Sequence, residues 1–576
     1  QGAEQSTKNR PEKEPPTGRE EGQMFTRNGT GKRTESDATT ETWQRYERGV
    51  SYHERNNLYA QTDKNHRYFA GDQWRGAYLG SISPVRFNFI KPTVLYKVST
   101  VAQNTMSLHY EPNAFSMLAG QENQEGAQLF LQAAEKICQK LNGHASRMWE
   151  KNKMDTMLWD CVLEAAIAGD AFLYFYEKDG EVVCEQVDTT NVYFGNENER
   201  DLQKQPYILI AFRQTVEQVR REAKQNGVPE DLLRQIVPDS DTATQAGDSA
   251  KTEVETDEDG GKCMVVLELS RKTHKDGRRC VVSRKSTRYV EIQPERDQGH
   301  AMYPMAHMAW EPIKGCCRGY GEVRFLIDNQ IEENKNLARR AVAVMQSAYP
   351  KMIYRTDAIG DPEALYKTGA SIGVNDMNAQ DVQNYVRYLS PASTSPDAYT
   401  LTEELREVTR NLAGASEAAL GDINPENASG KAILAVRDAA AAPLSRQIAA
   451  YRQFVEDIGR VWFDMWAAYS PEGKAVLVTV TDAMGREVQA VEIIPYEAMQ
   501  RLKVHVNVDV SPSDAYSKYA VEQSLENCLA NGWITFEEYV EALPADSAAP
   551  KGKLTEILQK RAMAAQPALS GTGDRL

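Results

Sequence analysis

The most obvious candidate for chemistry in this sequence is a serine flanked by glycines. Gly369-Ala370-Ser371-Ile372-Gly373 matches the GxSxG pattern of a nucleophile elbow, in which a sharp turn joins a buried strand to a helix. Neither the preceding residues, Leu365 to Thr368, nor the following ones, Val374 to Asp376, have the pattern of such a strand or helix. We therefore expect no nucleophilic serine here, we predict no catalytic residue, and the chain is not expected to be an enzyme.

Cysteine, histidine and acidic residues are the next candidates, as metal ligands. The cysteines have no CxxC spacing and no histidine at ligand spacing, and the eight histidines form no HxxxH or HExxH pattern. The acidic run from Glu253 to Asp259 lacks the loop pattern of a calcium site. We expect free thiols in a reducing compartment, a solvated acidic loop, no metal and no cofactor. The cysteines are Cys138, Cys161, Cys184, Cys263, Cys280, Cys316, Cys317 and Cys528.

Phosphate and nucleic-acid chemistry are also limited by the sequence. No GxxxxGK[ST] motif occurs, since Gly430-Lys431 is followed by Ala432, so we do not expect a P-loop ATPase. The formal net charge of −15 opposes tight, sequence-independent DNA binding over the whole surface. We see neither an uninterrupted apolar stretch of about 18 residues nor an apolar signal core at the N-terminus, and we expect a cytosolic protein without a membrane span.

Periodicity predicts an α+β organisation for the first part of the chain. Helical stripes run from about Glu41 to Trp74, from Phe87 to Val101, and from Met154 to a stop at Gly169. The period then changes to two. Strands are predicted over 171–176, 181–187, 207–213, 263–270 and 280–292, with a charged helix over 215–225.

Long helices dominate after Gly319. One apolar stripe covers 323–345, and a second helix is predicted to begin at the capping-box pattern Thr400 to Glu403. Its apolar positions step by four and three, which is typical of a seam that packs on a neighbouring helix. A helix over 431–469 should be kinked at Pro443, and two helices, over 514–530 and 535–543, follow strands over 475–481, 487–494 and 503–510.

Three segments have too few apolar residues to form a core. Residues 1–40, about 238–262 and 564–576 are polar or rich in turn formers, which predicts a disordered arm, a mobile acidic loop and a flexible tail.

The order of several short motifs resembles that of tailed-bacteriophage portal proteins. The similarity covers about Glu41 to Arg561 and rests on Gly71-Asp72-Gln73-Trp74, the helix from Asn88 to Val101, Gly169-Asp170-Ala171 before a hairpin, Val187-Asp188-Thr189 at its exit, and Arg318-Gly319-Tyr320-Gly321 before a helix with Gln330 and Asn334. No motif is specific alone, and their order carries the resemblance.

The resemblance implies a mostly helical portal fold with wing, stem, clip and crown regions, assembled as a ring around a central channel. The implied regions are a wing over 41–322, a descending stem helix over 323–347, a clip over 348–398, an ascending stem helix over 400–420, a tunnel loop over 421–430, a kinked wing helix and strands over 431–511, and a crown over 512–563. Stem packing is assigned to Leu326, Ile327, Asn334, Leu405, Val408 and Leu412. The channel is assigned to Asp422, Asn424, Glu426, Asn427, Ser429 and Lys431.

The family also implies the partners and the location of the protein. A portal is a ring, here of about twelve subunits, at one capsid vertex of the virion, present in the host cytoplasm during assembly. Double-stranded DNA passes through it without sequence specificity, and it docks terminase, the major capsid or scaffolding protein, and then a head-completion adaptor. No membrane partner is implied.

One alternative remains open at this point, and a second is disfavoured by the sequence. One is another virion head-assembly protein, such as a minor head or adaptor component, which ring size and stoichiometry would distinguish. The other is a DNA-binding regulator, because the helices over 514–543 resemble a helix-turn-helix. The second of these helices begins Thr535-Phe-Glu-Glu, which is acidic where a recognition helix should face phosphates.

Overall fold

The computed structural model describes residues 37–75, 87–113, 124–239, 261–348, 351–375, 385–389, 397–412, 442–481, 487–512, 524–543, 553–554 and 557–558, apart from Asp276 and Thr368. The predicted N-terminal arm up to residue 36, the acidic loop over 240–260, the predicted tunnel loop and the tail over 564–576 lie outside the described residues. So does much of the region predicted as crown.

Five helices and one strand form the N-terminal part. They are α1 (Asp37–Arg55), α2 (Leu58–Ala70), α3 (Ile90–Ala102), β1 (Asn104–Pro112), α4 (Gln124–Lys151) and α5 (Met154–Ala168). The stripe from about Glu41 to Trp74 was predicted as one surface helix leading into a packed loop, but it forms two helices, because Asn57 between them is left-handed with φ 52°. The predicted disordered arm also extends too far, since Thr39 lies in α1 and is buried.

Two antiparallel sheets follow. The first has the order β3-β2-β9 and consists of β2 (Asp170–Lys178), β3 (Glu181–Val187) and β9 (Met305–Ala309); the second runs β4 (Val192–Phe194), β5 (Tyr207–Thr215), β6 (Lys262–Thr273), β7 (Arg279–Ser286) and β8 (Glu291–Asp297). The predicted β2–β3 hairpin is confirmed, with Asp179 and Gly180 both at positive φ as a type I′ turn requires. The single strand predicted over 280–292 is wrong, because a turn at Thr287–Val290 separates β7 from β8.

The predicted charged helix is confirmed as α6 (Val216–Gln225), and the short helix α7 (Glu230–Leu233) follows it. A small pair, β10 (Glu311–Pro312) with β11 (Gly319–Tyr320), precedes the long helix α8 (Glu322–Ala348). Beyond α8, β12 (Met352–Tyr354) pairs with β13 (Val386–Tyr388), and α9 (Asp397–Leu412) returns. The predicted capping box at Thr400 is wrong, because α9 begins at Asp397. A 3₁₀ helix, Pro362–Tyr366, precedes Ser371, where a nucleophile elbow would need a strand.

The chain then forms α10 (Ser445–Ala468), β14 (Lys474–Thr481), β15 (Glu487–Ile494), α11 (Tyr496–Arg501), β16 (Val504–Pro512), helical residues 524–530 and α12 (Phe536–Ala542). Pro443 lies in the 3₁₀ turn Ala442–Leu444 directly before α10, so it does not kink that helix. The capping box between Thr535 and Glu538 is confirmed. Among the described residues, no helix is long and apolar enough to cross a membrane.

The main core joins segments from both ends of the sequence. β1 and β16 pair antiparallel, with Asn104 opposite Pro512 and Pro112 opposite Val504. α10 packs beside this pair and buries Trp462 and Trp466, each about 1% exposed or less. This pairing makes the elements before α8 and after α9 one body, from which α8 and α9 leave and return. The mixture of helices and antiparallel sheets confirms the α+β fold class.

Candidate functional site

Motifs that are far apart in the sequence meet at one buried polar cluster. The buried Asp170 carboxylate accepts a hydrogen bond from the Gly319 amide at 3.0 Å and lies 2.9 Å from His307 Nε2. Arg318 donates to the carbonyl oxygen of Thr189 at 3.1 Å, and its guanidinium lies 3.9 Å from the Asp170 carboxylate. The cluster therefore connects the end of α5, the exit of β3 and the segment that leads into α8.

Glycines let the same motifs touch through their backbones. A Cβ on Gly169, whose φ is +114°, would lie 2.4 Å from the carbonyl oxygen of Gly319. A Cβ on Gly321 would lie 2.4 Å from the carbonyl oxygen of Ile167. No side chain fits at either distance. Gly169, Gly319 and Gly321 are thus required by the close contact between the end of α5 and the segment that leads into α8.

His53 completes this cluster from α1. Its Nε2 lies 3.1 Å from Arg318 Nη2, and its ring stacks on Tyr193 at 4.6 Å between centroids. A guanidinium only donates, so Nε2 accepts, and burial together with the Arg318 charge lowers the pKa of His53 to about 2. The space beside Arg318 and His53 has no room for a ligand. We interpret the cluster as a rigid joint and not as a reaction centre.

A second buried polar network holds α8 one to three turns further along. Gln330 Nε2 donates to the carbonyl oxygen of Phe87 at 2.7 Å, and its Oε1 accepts from the Phe89 amide at 3.1 Å. Asn334 Nδ2 donates to Gln73 Oε1 at 2.7 Å. The GDQW segment and the residues that lead into α3 therefore fix the first half of α8, because the side-chain amides of Gln330 and Asn334 bond to them.

The second half of α8 extends away from this core. Leu326, Ile327 and Asn334 are buried within the chain itself, which leaves little of their surface for a second subunit. No residue over 335–345 is buried, and Val344 and Met345 are 59% and 48% exposed. At 1.5 Å per residue the part after Asn334 projects roughly 20 Å.

α9 packs antiparallel on α8 through a polar face. Asn329 Nδ2 donates to Thr409 Oγ1 at 3.1 Å, and Arg406 pairs with Glu333, whose side chain is 1% exposed. Thr402 and Thr409 are also buried. Positions 402, 406 and 409 follow helical spacing, so one stripe of α9 faces α8 and this stripe is polar.

The apolar stripe of α9 is a different face. Its members are Leu401, Leu405 and Val408, and each comes one residue before a position that contacts α8. One residue of an α-helix turns by about 100°, so this apolar stripe points about 100° away from the face that meets α8. Leu401 and Val408 are both 53% exposed, Leu405 is half-buried, and Phe325 on α8 is 52% exposed. Leu412 ends α9, and its side chain lies outside the described residues. The predicted seam is therefore present but is not covered by α8.

Comparison with known protein families decides the identity. The sequence model of the Phage P22-like portal protein family matches residues 43–532 of the 576. The chain belongs to this family. A search of curated proteins found no match. The match confirms the resemblance drawn from the motifs, and it includes every described element except the first six residues of α1, all of α12 and the short helical segments after it.

As a phage portal protein, the chain is a component of the capsid vertex, where the family serves as a conduit for DNA. The two buried clusters fix α8 in the body of this portal protein, and α9 is held against it. The residues assigned to the channel, Asp422, Asn424, Glu426, Asn427, Ser429 and Lys431, lie outside the described residues, so their assignment stays a prediction.

Proposed function

We propose that this portal protein closes into a ring of about twelve subunits in which α8 and α9 form the stem that surrounds the DNA channel. The observation that carries the proposal is the exposed apolar stripe of Leu401 and Val408 on α9, and Phe325 on α8 is exposed as well. Such a stripe on a projecting helix pair exposes apolar surface to water, and a cyclic contact with the next subunit covers it. The polar contact between α8 and α9 leaves that stripe free for a neighbour.

The channel itself is assigned to residues 421–430, between α9 and α10. The segment contains Asp422 and Glu426, and Lys431 follows it directly. The channel lining formed by these residues is therefore expected to be acidic to neutral. A ring of cations here would exchange counterions for phosphates and grip the duplex, whereas a conduit must let many base pairs pass. Repulsion within the ~8 Å Debye length then centres the DNA.

The remaining roles follow from this position at the vertex. The ring docks terminase during packaging and a head-completion adaptor afterwards, and it contacts the major capsid or scaffolding protein. It acts without catalysis, as a virion component that assembles in the host cytoplasm. The wing, clip and crown regions keep the boundaries given above.

The ring is tested with a charge-matched pair of variants. Leu401→Asp with Val408→Asp places two carboxylates on the stripe, where a subunit contact would bury them at a cost of several kcal/mol. Gln218→Asp with Gln225→Asp adds the same two charges to the exposed face of α6. Native mass spectrometry and electron microscopy should show rings for the wild type and for the α6 variant, and single subunits for the α9 variant.

Circular dichroism separates loss of assembly from loss of folding, because both α9 positions are exposed in the single chain. Intact rings from the α9 variant would show that the stripe does not mediate assembly. A wild-type protein that forms no ring at all would overturn the proposed oligomer and favour a different head-assembly role.

A further inference from the structure

Three potential metal ligands lie together in the five-stranded sheet, beside the turn that joins β6 to β7. His274 lies in the turn between β6 and β7, Cys280 is on β7, and Asp297 ends β8. His274 Nε2 lies 2.8 Å from Asp297 Oδ2 and 3.1 Å from Cys280 Sγ. The three ligand atoms all lie within 4.8 Å of one another.

Backbone contacts hold this cluster in place. The His274 amide donates to the Arg278 carbonyl at 2.8 Å and closes the turn. The Gly299 amide donates to Asp297 Oδ1 at 2.8 Å, which leaves Oδ2 directed at His274. Val282 is opposite Asp297 in the β7–β8 register, so Cys280, two residues from Val282, lies on the same face of the sheet as Asp297. Each ligand is therefore positioned by an element of the sheet.

The arrangement differs from a nucleophile relay. In a Cys-His-Asp relay the carboxylate and the thiol contact different ring nitrogens, whereas here both lie against Nε2 of His274. Nε2 of a neutral imidazole either donates or accepts, so it cannot pass a proton between these two partners. Three ligand atoms of different type that lie within 4.8 Å of one another can instead be bridged by a single metal ion.

We propose that His274, Cys280 and Asp297 bind one divalent transition metal ion of the zinc class per subunit, with a fourth position left to water. Thiolate, imidazole and carboxylate together suit zinc, a borderline-soft ion, better than magnesium or calcium. Tetrahedral ligands at zinc distances are about 3.3–3.6 Å apart, so binding needs the present contacts to open by roughly 0.5 Å. The ion ties the β6–β7 turn to the end of β8.

Binding replaces protons by the metal. The Cys280 thiol loses its proton to solvent, the His274 imidazole keeps one proton on Nδ1, and Asp297 is already ionised, so one proton is released per ion. Affinity should therefore rise with pH.

Cobalt provides a direct probe. The purified full-length protein is stripped with EDTA and titrated with Co²⁺, and tetrahedral d–d bands with a thiolate charge-transfer band should saturate at one ion per subunit. Zinc should displace the cobalt spectrum without further proton release, whereas either metal added to the EDTA-stripped protein should release one proton per ion. His274→Ala and Cys280→Ser should each weaken binding by more than about tenfold. Cys528→Ser, which removes a half-buried thiol elsewhere, should leave the spectrum unchanged.

Loss of metal binding in these variants can be distinguished from misfolding. His274 is 41% exposed at a hairpin turn, so its replacement should leave the circular dichroism of the chain unchanged. Absence of the charge-transfer band in the wild type at stoichiometric cobalt would overturn the proposal. A band that persists in both His274→Ala and Cys280→Ser would place the metal at another thiol and overturn it equally.

Discussion

Replacing Arg406 by Ala should detach α9 from α8. The Glu333 side chain is 1% exposed, and Arg406 is its cationic partner across the two helices. Removing one partner of a buried ion pair leaves an uncompensated charge and costs about 3–5 kcal/mol. The Arg406 side chain is 36% exposed, so water already screens one side of the pair, and we expect a loss of about 2–4 kcal/mol.

Arg406→Ala should destabilise α9 locally and should also lower the free energy of unfolding of the whole chain. Hydrogen exchange of amides in Asp397–Leu412 should accelerate in Arg406→Ala, and the urea midpoint should fall. A control is available two residues from Glu333 on the same helix, where Lys335 pairs with Glu332 and the two side chains are 50% and 52% exposed. Lys335→Ala should change the free energy of unfolding by less than about 0.5 kcal/mol.

A further variant separates charge burial from lost packing. Adding Glu333→Gln to Arg406→Ala removes the buried charge, so the double variant should be more stable than Arg406→Ala alone. If Arg406→Ala is no more destabilised than Lys335→Ala, or if the double variant recovers nothing, the buried pair does not hold the two helices together and the reasoning fails.

Three other predictions concern the joint and the channel. The pKa of His53 is about 2 in the folded chain and 6.5 for a free histidine, so the unfolded chain binds more protons than the folded chain below pH 6.5. The free energy of unfolding should therefore fall by about 1.4 kcal/mol for each pH unit of acidification below that point. His53→Gln should remove this contribution, which is measured as the change in urea midpoint between pH 6.5 and 4.5. Gly321→Ala should lower the thermal midpoint, since its Cβ would meet a carbonyl oxygen at 2.4 Å, while Gly143→Ala, with no atom within 4 Å, should not; equal midpoints would contradict the close contact. Asp422→Lys with Glu426→Lys should slow DNA translocation in a reconstituted packaging assay, most strongly at low salt, and assembled variant rings that package at the wild-type rate over a range of salt would refute the tunnel assignment.

Local patterns in the sequence determined most individual elements. The β2–β3 hairpin follows from alternation and the Asp179-Gly180 turn, α5 ends where Gly169 becomes left-handed, and α12 begins at a capping box. These patterns involve only residues that are close in the sequence, so they can be interpreted without knowledge of the tertiary structure. The order of short motifs was likewise sufficient to recognise the portal family. This order can be read from the sequence without knowing which residues are in contact.

Long-range contacts were decided only by the tertiary structure. β1 was not predicted, because its partner β16 lies at the other end of the sequence, and α4 was missed with it. The cluster proposed to bind a metal was missed for the same reason: the pairing of β8 with β7 brings Asp297 to Cys280 and His274, and the six-residue spacing from His274 to Cys280 matches no common motif. The apolar stripe of α9 was visible in the sequence. Which face meets α8 was settled by two buried threonines and one ion pair, whose partners no periodicity could identify.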